Sequence, residues 1–183
     1  MRLTAAACLL SCLLLTACSS VDVEDYASNL PRMQPEEFFS GSLVAHGVVK
    51  DRSGEVFRRF SADIEARWAG DTGTLEEDFH FDDGEIDRRV WTLRRNSDGS
   101  YTGTAGDVVG EGHARVAGNA MFLQYTLRVP WRDSTIDVDV DDRMYLIDES
   151  VLINESIMTK FGFRVGTILL TIRRLQDSSP EVP

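Results

Sequence analysis

The sequence predicts an all-β domain that folds as a single antiparallel up-and-down barrel of about nine or ten strands. From Phe39 onward, short runs of residues are separated by turn signals at Ser53-Gly54, Gly70–Gly73, Asp83-Gly84, Asp98-Gly99, Gly110–Gly112, Gly118-Asn119, Pro130–Ser134 and Asp148-Glu149. The links are short, so consecutive runs are expected to pair as hairpins. Closure into a barrel leaves no exposed edge strand, and a two-sheet sandwich is the alternative.

Within the runs, apolar and polar residues alternate with the period of two that is typical of strands with one buried face. Three runs show this pattern clearly, and their apolar faces are expected to form the interior. The residues that share a face are Val56, Phe60, Ala62, Ile64, Ala66 and Trp68 in the first run, Met121, Leu123, Tyr125, Leu127 and Val129 in the second, and Ile136, Val138 and Val140 in the third.

Length and composition fit one folded domain. The chain has 183 residues, of which 43% are hydrophobic, so enough apolar surface is available for one core. We expect the barrel to span residues 38–175, followed by a C-terminal tail at 176–183. A second domain is not expected.

Charge and cysteine content argue against several kinds of site. Asp and Glu number 30 against 19 Lys and Arg, which gives a net charge of −11 at pH 7. Such a surface repels phosphate backbones, so no nucleic acid partner is expected. The three cysteines, Cys8, Cys12 and Cys18, all precede the barrel, which therefore has no thiol for a disulfide or a metal site.

The amino terminus has the pattern of a lipoprotein signal peptide. Met1-Arg2 is a short positive region, and the apolar stretch Ala5–Leu15 is too short to span a bilayer. The stretch ends in Leu15-Thr16-Ala17-Cys18, which resembles the bacterial lipobox. We therefore predict a signal peptide at residues 1–17 and acylation of the Cys18 thiol. A plain secretory leader with a chance cysteine is the alternative.

The lipobox also predicts where the protein resides. Several acyl chains on Cys18 would anchor the protein stably to a membrane. Ser19 follows the cysteine, and by the sorting rule of enteric bacteria this residue favours the outer membrane, with the domain facing the periplasm. Residues 18–37 contain Pro31 and Pro35 among polar residues and are expected to form a tether.

One hairpin can be predicted in detail. If Asp83-Gly84 is a two-residue turn, one face of the hairpin carries the pairs Phe81–Ile86, Phe79–Arg88, Glu77–Val90 and Leu75–Thr92. This apolar face contains two charged residues, Glu77 and Arg88, in a diagonal arrangement. Arg58, in the preceding run, also lies on an apolar face.

Several short motifs make the chain resemble the DUF3833 family of bacterial lipoproteins over residues 24–172. The motifs are Phe38-Phe39-x-Gly41, Asp51-Arg52-x-Gly54, Arg59-Phe60, Glu77-x-Phe79-x-Phe81-x-Asp83-Gly84-Glu85, Arg89-x-Trp91, Asp107-Val108-Val109-Gly110, Gly118-Asn119-Ala120 and Asn154-x-Ser156-x-Met158-x-Lys160-Phe161-Gly162. The chain departs from the family pattern at Arg143, where Trp is usual. The resemblance implies a lipocalin-like barrel, no established activity and no catalytic residue. It also implies a link to membrane-lipid modification, since members are encoded beside enzymes of the cyclopropane-synthase type.

The sequence gives no indication of an enzyme. The nucleophile elbow, the H-E-x-x-H motif, the P-loop and the dinucleotide-binding glycine motif are not found. His46, His80 and His113 lie in separate runs, so no catalytic or metal site and no cofactor is expected. The acidic clusters at residues 76–87 and 137–142 lack the spacing of a calcium loop and are interpreted as solvated strand faces.

Arg58, Glu77 and Arg88 form the candidate ligand site. An inward-facing arginine in an apolar barrel can bind the carboxylate or phosphate headgroup of a fatty acid or phospholipid, whereas a buried Glu77–Arg88 pair would be purely structural. Two functions therefore remain: an envelope lipoprotein that binds a fatty-acyl or similar ligand, and an accessory lipoprotein that interacts with envelope proteins. An interior cavity would favour the first, and an interior filled by Phe60, Trp68, Phe79, Phe81 and Leu123 the second.

Overall fold

Ten antiparallel strands form one closed sheet, in which each strand pairs with the next and β1 pairs with β10. The computed structural model describes residues 21–175. The strands are β1 (Gly41–Asp51), β2 (Val56–Ala69), β3 (Thr72–Phe81), β4 (Ile86–Arg95), β5 (Tyr101–Thr104), β6 (Gly112–Ala117), β7 (Ala120–Trp131), β8 (Ser134–Leu146), β9 (Val151–Lys160) and β10 (Phe163–Arg174). The predicted barrel is confirmed, and the sandwich alternative is wrong.

The period of two places one apolar face of each long strand in the barrel interior. In β2, Ala62, Ile64 and Ala66 are buried while the charged residues between them are exposed. Likewise, Leu123 in β7 and Val140 in β8 are buried. These side chains form the core because neighbouring strands present the same faces to the interior.

The segment before β1 packs against the barrel along its whole described length. It contains a 3-10 turn, Val23–Tyr26, and the one-turn helix α1, Pro35–Phe38. Phe38 and Phe39 belong to the main core, and the Nε1–H of Trp68 donates to the carbonyl of Phe39 at 2.8 Å. The part of this segment around α1 therefore plugs the barrel, whereas Val23 packs with Ala117 and Ala120 in a separate cluster. Among residues 21–175, no helix has the length and apolar character needed to cross a membrane.

The segment before β1 differs from the tether expected at residues 18–37. Val23, Met33 and Pro35 are buried, and the Met33 N–H donates to the carbonyl of Gly118 at 2.7 Å. Pro31 and Pro35 predict a spacer, but the apolar side chains of this segment pack against the barrel and hold it in place. From Val23 onward the segment is part of the folded domain.

The opposite end, here called the mouth, is less well covered. The connections β1–β2, β3–β4, β5–β6, β7–β8 and β9–β10 lie there, as the alternating strand directions require. Inward-facing apolar side chains near this end are half-buried, unlike those beside the plug. They are Val49, Phe81, Val129, Ile136 and Met158. Access to the interior is therefore easier from the mouth.

The β3–β4 hairpin has a three-residue loop, Asp82–Gly84, and the predicted two-residue turn is wrong. The Phe81 N–H donates to the Glu85 carbonyl at 3.0 Å, and Gly84 has a φ of 89°. This geometry matches a type I turn followed by a residue in the left-handed region. The additional loop residue inverts the parity of β4. Glu77 therefore faces Arg89, and Arg88 points outward.

Replacing Gly84 with Val should destabilise the barrel by about 1–3 kcal/mol, because a β-branched residue is strained at positive φ. Denaturant unfolding measures the effect. Gly106→Val is the matched control: an added Cβ meets nothing within 4 Å at either position, and only Gly84 has a positive φ. Equal stability of the two variants would contradict the assigned loop.

Candidate functional site

A cavity of about 130 Å³ lies inside the barrel. Its wall is mostly apolar and includes Phe60, Phe79, Trp91, Leu123 and Leu170. Phe39 of the plug closes it on one side, and the half-buried side chains of the mouth lie on the other. Of the five residues expected to fill the interior, Phe60, Phe79 and Leu123 line this cavity, and Trp68 and Phe81 do not.

Polar side chains gather on one part of this wall. They are Glu77 on β3, Arg89 on β4, Tyr125 on β7, Asp142 on β8, and Asn154 and Ser156 on β9. Asp107, from the loop between β5 and β6, accepts a hydrogen bond from Arg89. We call these seven residues the interior polar cluster. Each strand residue in it has inward parity, so closure of the barrel brings them together.

Arg89 is occupied by a carboxylate of the protein itself. Its Nε and Nη2 donate to Oδ2 of Asp107 at 3.0 and 2.6 Å. Burial disfavours the charged guanidinium, yet Glu77 and Asp107 hold the pKa of Arg89 above its usual value. Arg89 is therefore a fixed cation, and two of its N–H groups already have an acceptor.

Glu77 is a carboxyl group without a fixed partner. Among residues 21–175 the structure gives it neither a hydrogen bond nor an ion pair within 4.0 Å, although β-pairing places it opposite Arg89. Burial raises the pKa of Glu77 to about 7; Arg89 opposes the rise, and Asp142 and Asp107 add to it. At neutral pH, protonated and ionised Glu77 are thus both populated.

Asp142 is the second such group. Its residue is only 9% exposed, and its Oδ1 atom has no hydrogen-bond partner among the described residues. Burial raises the pKa of Asp142, while the nearby side chains of Ser156, Tyr125 and Asn154 oppose the rise. A buried carboxylate oxygen without a donor is unfavourable, so this atom is a ready acceptor for a donor in the cavity.

The structure separates the three residues predicted as a ligand site. Glu77 faces the interior, as predicted. Arg88 lies on the outer face, where it contacts Glu76 and lies 3.6 Å from Asp78. The expected Glu77–Arg88 pair is therefore wrong, and its physical cause is the extra residue in the β3–β4 loop.

Arg58 lies at the mouth and has no hydrogen-bond partner in the interior polar cluster. Its Nη2 donates to Asp83 at 3.0 Å and to Glu85 at 2.6 Å. The guanidinium also stacks 3.6 Å above the ring of Phe81. Arg58 is thus held by the β3–β4 loop. The predicted lipidation site, Cys18, lies outside the described residues.

Sequence reasoning missed Arg89, Asp107 and Asp142. Asp142 shares its parity with Val138 and Val140, and this signal was available in the alternation. Arg89 and Asp107 belong to motifs that carry the family resemblance, but their inward positions depend on the β3–β4 loop length and on the path of the β5–β6 loop. Within residues 21–175, no group of three or more His, Cys, Asp and Glu side chains is arranged to hold a metal ion.

Solved structures with a similar fold include two barrels. The S-type phycobiliprotein lyase CPES from Guillardia theta is 16% identical, with a TM-score of 0.50; the match covers 79% of this chain and 94% of that chain. A redesigned β-barrel, mFAP0, bound to DFHBI is 9% identical, with a TM-score of 0.42, over 75% of this chain and 99% of that chain. At this identity the likeness to the lyase shows the fold alone.

Sequence comparison identifies the family. No curated protein matches the chain significantly. The family model described as protein of unknown function (DUF3833) matches residues 12–174, which is most of the chain and agrees with the resemblance carried by the sequence motifs. The chain therefore belongs to the DUF3833 family.

Proposed function

We propose that this protein is an envelope lipoprotein, anchored through Cys18, that binds a small amphiphile inside its barrel. The observation that carries the binding role is the cavity, which combines apolar walls with a single polar cluster. Ligand pockets typically have this composition, because apolar contact gives affinity and a few polar groups fix orientation.

The cavity limits the size of the bound group. Its 130 Å³ is smaller than the roughly 300–1,000 Å³ of pockets that enclose drug-sized ligands. A long acyl chain would therefore be only partly enclosed. The half-buried side chains of the mouth, such as Phe81 and Met158, offer apolar surface to the remainder. The family's implied link to membrane-lipid modification is consistent with such a ligand.

The accessory role remains a second candidate because one observation favours it. Large apolar side chains are exposed around the mouth, among them Phe57, Ile86, Trp131, Phe161 and Phe163. Exposed apolar residues grouped in this way can mark an interaction surface. A protein that used only this surface would not depend on an open interior, so blocking the cavity separates the two roles.

Filling the cavity should abolish amphiphile binding without unfolding the barrel. Leu170 lines the cavity, whereas its neighbour Leu169 is 39% exposed on the outer face. We expect Leu170→Trp to lower affinity at least tenfold and Leu169→Trp to leave it unchanged. Native mass spectrometry and calorimetry on delipidated 19–183 protein, with 1-octanol, fatty acids, lysolipids and phospholipids, measure this.

Circular dichroism checks that both variants fold, and Leu170→Phe replaces the Trp variant if it does not. If wild-type protein binds none of these amphiphiles, the binding role is wrong and the accessory role takes its place. If Leu170→Trp binds as well as wild type, the ligand occupies another site.

Replacing Cys18 with Ser should release the protein from the membrane, because serine cannot carry the thioether-linked diacylglycerol. Membrane fractionation and labelling with a radioactive or clickable fatty acid measure the change. Cys12→Ser is the control, since Cys12 lies within the apolar stretch of the leader and should not affect either readout. Retention of label and membrane association in Cys18→Ser would refute the anchor.

A further inference from the structure

Several acceptor oxygens of the interior polar cluster have no hydrogen-bond donor. Glu77 has no partner, and Oδ1 of both Asp142 and Asp107 lacks a donor among the described residues. The hydroxyl of Ser156 already donates to Asn154 Oδ1 at 3.0 Å. Buried acceptors without donors are unfavourable, so a bound group that supplies donors would be stabilised here.

The charge of the interior polar cluster also favours a ligand that carries hydrogen-bond donors. Three carboxyl groups, on Glu77, Asp107 and Asp142, accompany one guanidinium, on Arg89. When all are ionised, the cluster carries two uncompensated negative charges inside the barrel. Like charges held together out of water disfavour ionisation and repel a further anion. A cation is therefore the complementary partner.

Arg89 is poorly placed to bind the anionic headgroup expected from the sequence. The expected carboxylate or phosphate headgroup would bind best along the Nε–Nη2 edge of a guanidinium, yet Asp107 already occupies this edge of Arg89. An anion binding at this edge would have to displace Asp107, and one binding at Nη1 would still enter an interior that holds three carboxyl groups. Arg58, the other inward arginine, is held by Asp83 and Glu85 at the mouth.

We infer that the polar end of the ligand is an amine, whose ammonium group is held by Glu77 and Asp142 while its apolar part lies in the cavity. This inference rests on the proposed function and adds the chemical class of the ligand. A neutral hydroxyl could satisfy one acceptor but would leave the buried charge uncompensated. An ammonium group supplies three donors and one positive charge, which matches both deficits.

The binding of an amine should depend on pH. Titratable groups on several elements face Glu77: Arg89 on β4, Asp107 on the β5–β6 loop, Tyr125 on β7 and Asp142 on β8. Because the pKa of Glu77 is raised to about 7, the empty cavity holds a proton there at lower pH. An alkylammonium ion keeps its charge across this range, so its binding displaces that proton to solvent.

Three probes with the same chain and different polar ends test the inference: octylamine, 1-octanol and octanoate. Calorimetry on delipidated 19–183 protein at pH 8 should show octylamine binding at least tenfold more tightly than 1-octanol, and octanoate the weakest. For octylamine, affinity should fall about thirtyfold between pH 8 and pH 5.5, as protonation of a group with a pKa near 7 competes with binding. The affinity for 1-octanol should change little.

Two variants assign the effect to Glu77. Glu77→Gln should lower octylamine affinity at least tenfold at pH 8 and remove most of its pH dependence, while 1-octanol still binds. Glu76→Gln is the matched control, since Glu76 lies next in sequence on β3 but pairs with Arg67 and Arg88 outside the barrel. If Glu77→Gln does not fold, Asp142→Asn takes its place.

The outcomes separate this inference from the proposed function. If octanoate binds most tightly, or if 1-octanol equals octylamine without pH dependence, the amine assignment is overturned and amphiphile binding stands. If none of the three probes binds, the proposed function fails and the inference fails with it. An unchanged octylamine affinity in both Glu77→Gln and Asp142→Asn would also overturn the assignment.

Discussion

A closed barrel has one interior, and every second residue of each strand must enter it. In this protein that constraint packs the apolar faces of β2, β7 and β8 against one another, and it also turns Glu77, Arg89 and Asp142 toward the same cavity. Ionisation of buried carboxyl groups is unfavourable unless donors or cations compensate it. Arg89 compensates Asp107, and the remaining carboxyl groups keep unused acceptor capacity beside the cavity. The shape, charge and protonation of the site all follow from this.

The two ends of the barrel differ in how well they close the cavity. The segment that precedes β1 fills one end with Phe38 and Phe39 and is tied down by the hydrogen bond from Trp68. At the mouth, the inward apolar side chains are half-buried, and Arg58 is held against Phe81 by the acidic β3–β4 loop. In the function that we propose, an amphiphile enters through the mouth and stops at the polar cluster, since the plug closes the far side.

The sequence predicted the fold better than it predicted the site. Alternation of apolar residues and regular turn signals were enough to predict a barrel of about nine or ten strands, because neither signal depends on the exact register of the strands. The site depends on register itself: one extra residue in the Asp82–Gly84 loop exchanged Arg88 for Arg89 as the inward arginine. Asp107 reaches the interior from a loop, whose path no alternation specifies. Asp142 was available from parity but was grouped with the acidic residues of the outer face.

The central claim is that the carboxyl group of Glu77 lies in an acidic interior and has no partner among residues 21–175. Its ionisation can be followed directly by ¹³C NMR of glutamate side-chain carboxyls during a pH titration of the ligand-free 19–183 protein, with Glu77→Gln identifying the resonance. The structure predicts a pKa of about 7, well above the ordinary value for glutamate. A resonance that titrates near the model-peptide value of about 4.3 would contradict the account, because Glu77 would then be solvated or paired.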